Sequence, residues 1–275
     1  MPEINVDPDL CTACGACVAL CLSAGVFAKV GDHVQAVAPE GCWLCGHCVA
    51  VCPTDAIAHS DFNLADCPVL DEAALPSLEM LVAVLRERRS ARVFRDKPVP
   101  RPVVRELVDL SCWAPTASNR QPVDWLAFDD PQRIAALSAA TVSTLVGPDP
   151  TRADPDYQRL ARHQAAGRDP VFLGAPVLLL AHVPEDTTFG RDAGAYAAYN
   201  LMLGAERMGL GTCLIGYFVG PLSRSAGLRS LLAEFGLPAG RRVEIALVLG
   251  YPRYRFRRLI PRRRRQLLWN GAELV

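Results

Sequence analysis

Eight of the eleven cysteines fall into two runs: Cys11, Cys14, Cys17 and Cys21, then Cys42, Cys45, Cys48 and Cys52. Each run reads C-x2-C-x2-C-x3-C, the residue type and spacing of iron–sulfur chemistry, in which thiolates hold a cluster that passes single electrons. Three thiolates on one tight loop cap three irons of a cubane, and the fourth iron needs a ligand from elsewhere. Structural zinc takes two C-x2-C pairs with a longer spacer, a poor match to three cysteines at three-residue intervals. Disulfides fit worse still. The cysteine count is odd, no export signal is read at the N-terminus, and bridges between such short loops would be strained.

The runs also repeat as whole segments, sharing Gly15/Gly46, Val18/Val49 and Ala19/Ala50. With this spacing the segment resembles the bacterial two-cluster ferredoxins, in which the fourth cysteine of each run ligates the other run's cluster. The resemblance implies Cys11, Cys14, Cys17 and Cys52 for one [4Fe–4S] cluster, and Cys42, Cys45, Cys48 and Cys21 for the other. Small residues between the ligands let backbone N–H groups approach the sulfurs and tune the potential. Cys52 is followed by Pro53 but Cys21 by Leu22, so the first run lacks the proline of the usual pattern. His47, between two ligands, reads as a solvent-facing loop residue.

The elements that must position this chemistry continue past the runs. We divide the chain into a cluster unit over residues 1–61, an irregular tether over 62–76, and a second unit over 77–275. Ser77 is an N-cap candidate for a helix carrying Leu78, Leu81, Val82 and Leu85. A second helix starts near Pro102 and is stopped by Pro115. Strands are expected at Trp125–Phe128, Val177–Ala181, Thr212–Phe218 and Val243–Gly250. A long helix over Asp192–Met208 would end at Gly209. Residues Ser138–Gly167 are polar and poorly periodic, either a surface excursion or a helical cap over a site.

Four segments of the second unit carry polar chemistry. Arg88-Arg-Ser-Ala-Arg-Val-Phe94 follows a helix, a position suited to gripping a phosphate with guanidinium and hydroxyl donors. Ala114-Pro-Thr-Ala-Ser-Asn-Arg-Gln-Pro122 is a turn dense in donors. Gly209-Leu-Gly-Thr-Cys-Leu-Ile-Gly216 follows the long helix, and Leu249-Gly-Tyr-Pro252 precedes a tail with eight arginines from Arg253 to Arg265. In this order they resemble the nitroreductase family of FMN-dependent enzymes, from about Leu78 to the C-terminus. The resemblance implies an α+β fold, a three-layer α/β/α domain with a mainly antiparallel sheet, and a homodimer with FMN at the subunit interface. It assigns Arg88, Arg89, Ser90 and Arg92 to the ribityl phosphate. Asn119 would read the flavin's polar edge, with Thr116, Ser118 and Gln121 in the same turn. Leu214, Ile215 and Gly216 would pass near flavin N5, and Arg255, Arg257 and Arg258 compete to close on the phosphate. Cys67, Cys112 and Cys213 have no ligand spacing and are expected as buried free thiols.

A formal net charge of zero speaks against a nucleic-acid-binding protein. The longest apolar stretch, Val171–Val183, is broken by Gly174 and Pro176 and is too short to span a membrane. A cytoplasmic location suits cysteines that must stay as thiolates. Together the segments imply an iron–sulfur flavoprotein oxidoreductase that relays electrons from the clusters to FMN and on to a small organic acceptor: a nitroaromatic, quinone or activated alkene. Two other readings stay open, an electron-transfer protein passing electrons through FMN to or from a protein partner, and a redox sensor without turnover. The donor is open between ferredoxin and NAD(P)H.

Overall fold

The computed structural model describes residues 1–273 except 23, 24, 150, 152, 264 and 271. In the N-terminal unit, β1 (Ile4–Val6) pairs antiparallel with β4 (Ile57–His59), and β2 (Phe27–Val30) with β3 (His33–Ala36). Two short helices, α1 (Ala16–Leu20) and α2 (His47–Val51), start where Gly15 and Gly46 take φ of 76° and 71°, a conformation that costs glycine nothing. Exposed His47 therefore opens a helix rather than lying in a loop. Ile4, Val26, Phe27, Val34, Val49 and Ile57 form the core, with six of the cluster cysteines and Phe62 packed on it.

After α3 (Leu78–Glu87), capped by Ser77 Oγ accepting from Met80 N at 3.3 Å, the second unit is built on a sheet of order β5-β6-β8-β7. Its strands are β5 (Asp124–Phe128), β6 (Val177–Pro184), β7 (Gly211–Leu214) and β8 (Arg241–Gly250), all paired antiparallel. Strand β6 is buried on both sides because the sheet is covered on both faces. Leu178 and Leu180 face a core shared with α5 (Pro131–Val146), α6 (Pro155–Ala165), α8 (Gly216–Leu222) and α9 (Ala226–Glu234). Val177 and Leu179 face α4 (Arg101–Ser111) and α7 (Gly190–Arg207). The result is a three-layer α/β/α domain. No helix among the described residues is long and apolar enough to cross a membrane.

Two further expectations are corrected, and of the two readings of Ser138–Gly167 the helical one holds. The strand expected over Thr212–Phe218 ends at Leu214, and Gly216 opens α8, with Phe218 buried in the helical layer. Ser138–Gly167 is mostly helical: α5 and α6 begin at Asp130-Pro131 and Asp154-Pro155, where an Asp carboxylate caps the first turn and proline fixes its φ. Residues 150 and 152 of that stretch lie outside the described set, as does Arg264 of the arginine-rich tail. Of the three leftover cysteines only Cys213 is buried; Cys67 and Cys112 sit at a 3₁₀-helix end and a helix end and are exposed.

Candidate functional site

Cys11, Cys14, Cys17 and Cys52 line one cavity, walled by Val6, Val34 and Ile57. The fourth cysteine of the second run thus stands with the first three of the first. Burial pushes the Cys17 thiol up, and Cys14 and Cys52 add repulsion. In the second run, burial pushes Cys48 up to about 11, with Cys42 and Cys45 adding to it. Holding these sulfurs as thiolates needs positive charge among them, which a bound metal centre supplies. Among the described residues no three His, Cys, Asp or Glu side chains converge on a point a single ion would occupy. Ligands of a cubane stand at its corners, farther apart than those of one ion.

The loop backbones suit the same purpose. Ala13 and Leu44, equivalent in the two runs, both hold φ of 53°, a conformation costing a side-chain-bearing residue about 1–3 kcal/mol. It turns the Leu44 N–H toward Cys42 Sγ at 3.3 Å, while Ala56 N donates to Cys52 Sγ at 3.2 Å. Sequence reasoning missed His59. Its ring is buried, tilted at 50° against Phe62 with centroids 4.7 Å apart, and places Nε2 3.6 Å from Cys42 Sγ.

In the second unit, Ser90 bridges Thr212 and Ala91 N donates to Thr212 O at 2.9 Å, so the Arg88–Arg92 segment lies along β7. Gly211 permits this approach: a Cβ there would lie 2.5 Å from that of Ala91. Arg88 Nε and Thr212 Oγ1 are both buried and have no hydrogen-bond partner among the described residues. Such orphans are costly, and a phosphate group fits the need. Arg89 is turned elsewhere, its Nη1 donating to the carbonyls of Arg86 and Arg88. Its N–H donates to Glu206, whose pKa burial raises while this bond opposes. Arg92 shares a cleft with Cys213, Leu214, Ile215, Gly216 and Tyr217. The Ile215 N–H is taken by Ala246 O at 2.8 Å, whereas Gly216 begins a helix whose first N–H groups have no helical acceptor. The tail leaves beside this segment, Arg253 N donating to Val93 O at 3.0 Å, and Arg255, Arg257 and Arg258 are exposed.

The turn after α4 carries three side-chain-bearing residues at positive φ: Ser118, Asn119 and Gln121 at 50°, 51° and 44°. Thr116 Oγ1 accepts from Gln121 N at 3.0 Å, and Gln121 Nε2 donates to Asn119 Oδ1 at 3.2 Å. Asn119 Nδ2 in turn donates to the carbonyl of Leu44, in the second cysteine run, at 2.6 Å. Thr116 and Ser118 line a second cleft with Thr187, Phe189 and Ala193. Of the assigned residues, Arg92, Leu214, Ile215 and Gly216 thus line one cleft and Thr116 and Ser118 another.

A model of the nitroreductase family matches residues 85–251, and one of a 4Fe-4S dicluster domain matches residues 3–58. A 4-nitrobenzoate reductase of Nocardioides sp. (strain LMS-CY) is 28% identical over 211 residues, covering 65% of this chain and 83% of that protein. Among solved structures, an FMN-bound nitroreductase from Bacteroides fragilis superposes with a TM-score of 0.56 at 17% identity, covering 71% of this chain and 97% of the other. One from Desulfitobacterium hafniense, also with bound FMN, gives 0.56 at 19% identity, over 66% of this chain and 93% of the other. These structures show the shared fold.

Proposed function

The chain belongs to the nitroreductase family, with a 4Fe-4S dicluster domain ahead of the family domain, and we propose that it is an FMN-dependent iron–sulfur oxidoreductase. It would carry electrons from two [4Fe–4S] clusters to FMN and on to a small organic acceptor: a nitroaromatic, a quinone or an activated alkene. The observation that carries this reading is the Asn119–Leu44 hydrogen bond, which joins a cluster loop to the turn assigned to the flavin edge. Bound FMN would supply the exchange between one-electron and two-electron chemistry that such acceptors need.

The chain's own residues do the holding. Arg88, Ser90 and Arg92 offer charge and hydroxyl donors to a phosphate. Gly216 leaves the cleft floor open, since nothing lies within 4 Å of a Cβ built there. Arg255, Arg257 and Arg258 stay candidates to cover the phosphate. The cysteines divide as Cys11, Cys14, Cys17 and Cys52 for one cluster and Cys42, Cys45, Cys48 and Cys21 for the other.

A homodimer completes the site in this reading. Helix α3 has no buried residue, and it exposes Leu78, Met80, Leu81 and Leu85. An apolar face of that kind calls for a partner, and a second copy would bring the two clefts together. We place the protein in the cytoplasm, where thiols stay reduced. The test is anaerobic turnover by the cofactor-loaded protein, with NAD(P)H or reduced ferredoxin, against nitroaromatics, quinones and enones. Sustained reduction of one class supports the enzyme reading. No turnover with any pairing, in protein holding both cofactors, would move the assignment to electron transfer between proteins.

A further inference from the structure

The two cysteine runs repeat, but their surroundings do not. In the register that aligns Cys11 with Cys42 and Cys21 with Cys52, the position matching His59 is Ala28, which has no side-chain donor. His59 is buried, and its protonation is fixed by its neighbours. The backbone N–H of Asp61 points at Nδ1 at 3.1 Å. A backbone N–H can only donate, so Nδ1 accepts and the ring proton sits on Nε2. That proton faces Cys42 Sγ at 3.6 Å, within hydrogen-bond range for the larger sulfur atom. The Asp61 carboxylate does not compete for the ring: its Oδ2 accepts from Ser60 Oγ at 2.8 Å and lies 3.8 Å from Nδ1. With the Leu44 N–H, Cys42 thus has two donors on its sulfur. It also lies in the run whose Leu44 carbonyl is bound by Asn119.

We propose that His59, donating from Nε2 to Cys42, sets the reduction potential of the second-run cluster, the one facing the flavin turn, above the value it would otherwise have. The physical reason is charge. Reduction adds negative charge that the ligand sulfurs share, and an N–H dipole aimed at one of them stabilises the reduced form. His59 is a positioning residue, acting through Cys42. The result would be an asymmetric pair, in which electrons collect on the cluster nearest FMN.

This inference rests on the cluster and FMN assignment above, and the experiment separates the two. The cofactor-loaded protein and its His59→Leu and His59→Gln variants are titrated anaerobically, with the reduced clusters followed by electron paramagnetic resonance, after iron and FMN have been counted. Leucine removes the donor and glutamine keeps an N–H. The expected result is that one of the two cluster waves moves to a more negative potential in His59→Leu and moves back at least in part in His59→Gln, while the other stays. Full iron and FMN with both waves unmoved, or with both moving together, overturns the role of His59 and leaves the cofactor assignment standing. Parent protein that does not hold two clusters and FMN overturns the reading on which the inference rests.

Discussion

Asn119 Nδ2 donates to the Leu44 carbonyl at 2.6 Å, joining residues 75 positions apart in the chain. One partner lies between two cluster cysteines and the other in a strained turn of the family domain. The bond uses the amide assigned from sequence to the flavin edge, and Gln121 Nε2 holds the other end of that amide. Removing it as Asn119→Ala should loosen the contact by about 1 kcal/mol, roughly fivefold in the docking equilibrium. Amide hydrogen exchange should then rise in the loop from Cys42 to Cys45 and not around Cys14. Unchanged exchange in that loop would mean the two units are held together by other contacts.

The orphaned Arg88 Nε and Thr212 Oγ1 make a second prediction. A charge-assisted bond contributes about 1.5–3 kcal/mol, so Arg88→Ala should weaken FMN binding by roughly 10- to 150-fold. Ser90→Ala should weaken it less. Fluorescence titration of the flavin-stripped protein measures both. A double variant that binds FMN as tightly as its parent would show the phosphate sits elsewhere.

How far the sequence reached depended on whether a feature was local. The cysteine spacing states its chemistry by itself, and the four polar segments are legible because each is a contiguous run. Strand β6 was readable as well, since burial on both faces makes Val177–Ala181 continuously apolar. The break after Leu214 was not. Ile215 and Phe218 are as apolar as a strand's residues, and only packing on the layer around Phe172 decides that the chain turns helical. Helices α5 and α6 carried a signal that composition masked, an aspartate directly before a proline. His59 has no local signature at all. Its meaning comes from the strand pairing that carries it to Cys42, and only the contrast with Ala28 hints at it.

His182 predicts a pH dependence of stability. Arg241 Nε donates to its Nδ1 at 2.9 Å, so the buried ring is neutral. Burial lowers its pKa, the Arg241 charge acts in the same direction, and Asp124 opposes. The folded value therefore lies below the unfolded one of about 6.5. Between the two the unfolded chain binds more protons. The stabilisation is complete above about pH 6.5 and is lost as pH falls toward the folded pKa. Thermal unfolding should thus move to lower temperature from about pH 7.5 to about pH 5, and His182→Gln should flatten that slope. Parallel slopes in parent and variant would place the acid sensitivity in other groups.

Cys52 lines the cavity of Cys11, Cys14 and Cys17, and this makes crossed ligation testable. Cys52→Ala should lose the first-run cluster and lower the iron content from about eight toward about four per chain. Which cluster remains is read by substituting His59 in the same background. If the survivor is the second-run cluster, its potential moves; an unmoved survivor contradicts either the crossing or the role of His59, and Cys21→Ala distinguishes them by leaving the other cluster.

The contact between Leu44 and Asn119 also predicts the order of reaction. A cluster unit covalently joined to the family domain, and touching it, makes the encounter intramolecular and sets its effective concentration by the connection rather than by the solution. Reducing the clusters anaerobically in a stopped-flow instrument and following flavin absorbance should therefore give a rate independent of protein concentration. The Asn119→Ala variant should slow that rate without making it concentration-dependent, because the chain connection survives the loss of one bond. A rate rising linearly with concentration would show that the clusters of one molecule serve the flavin of another. The Leu44 contact would then be a resting position of the cluster unit rather than the point of transfer.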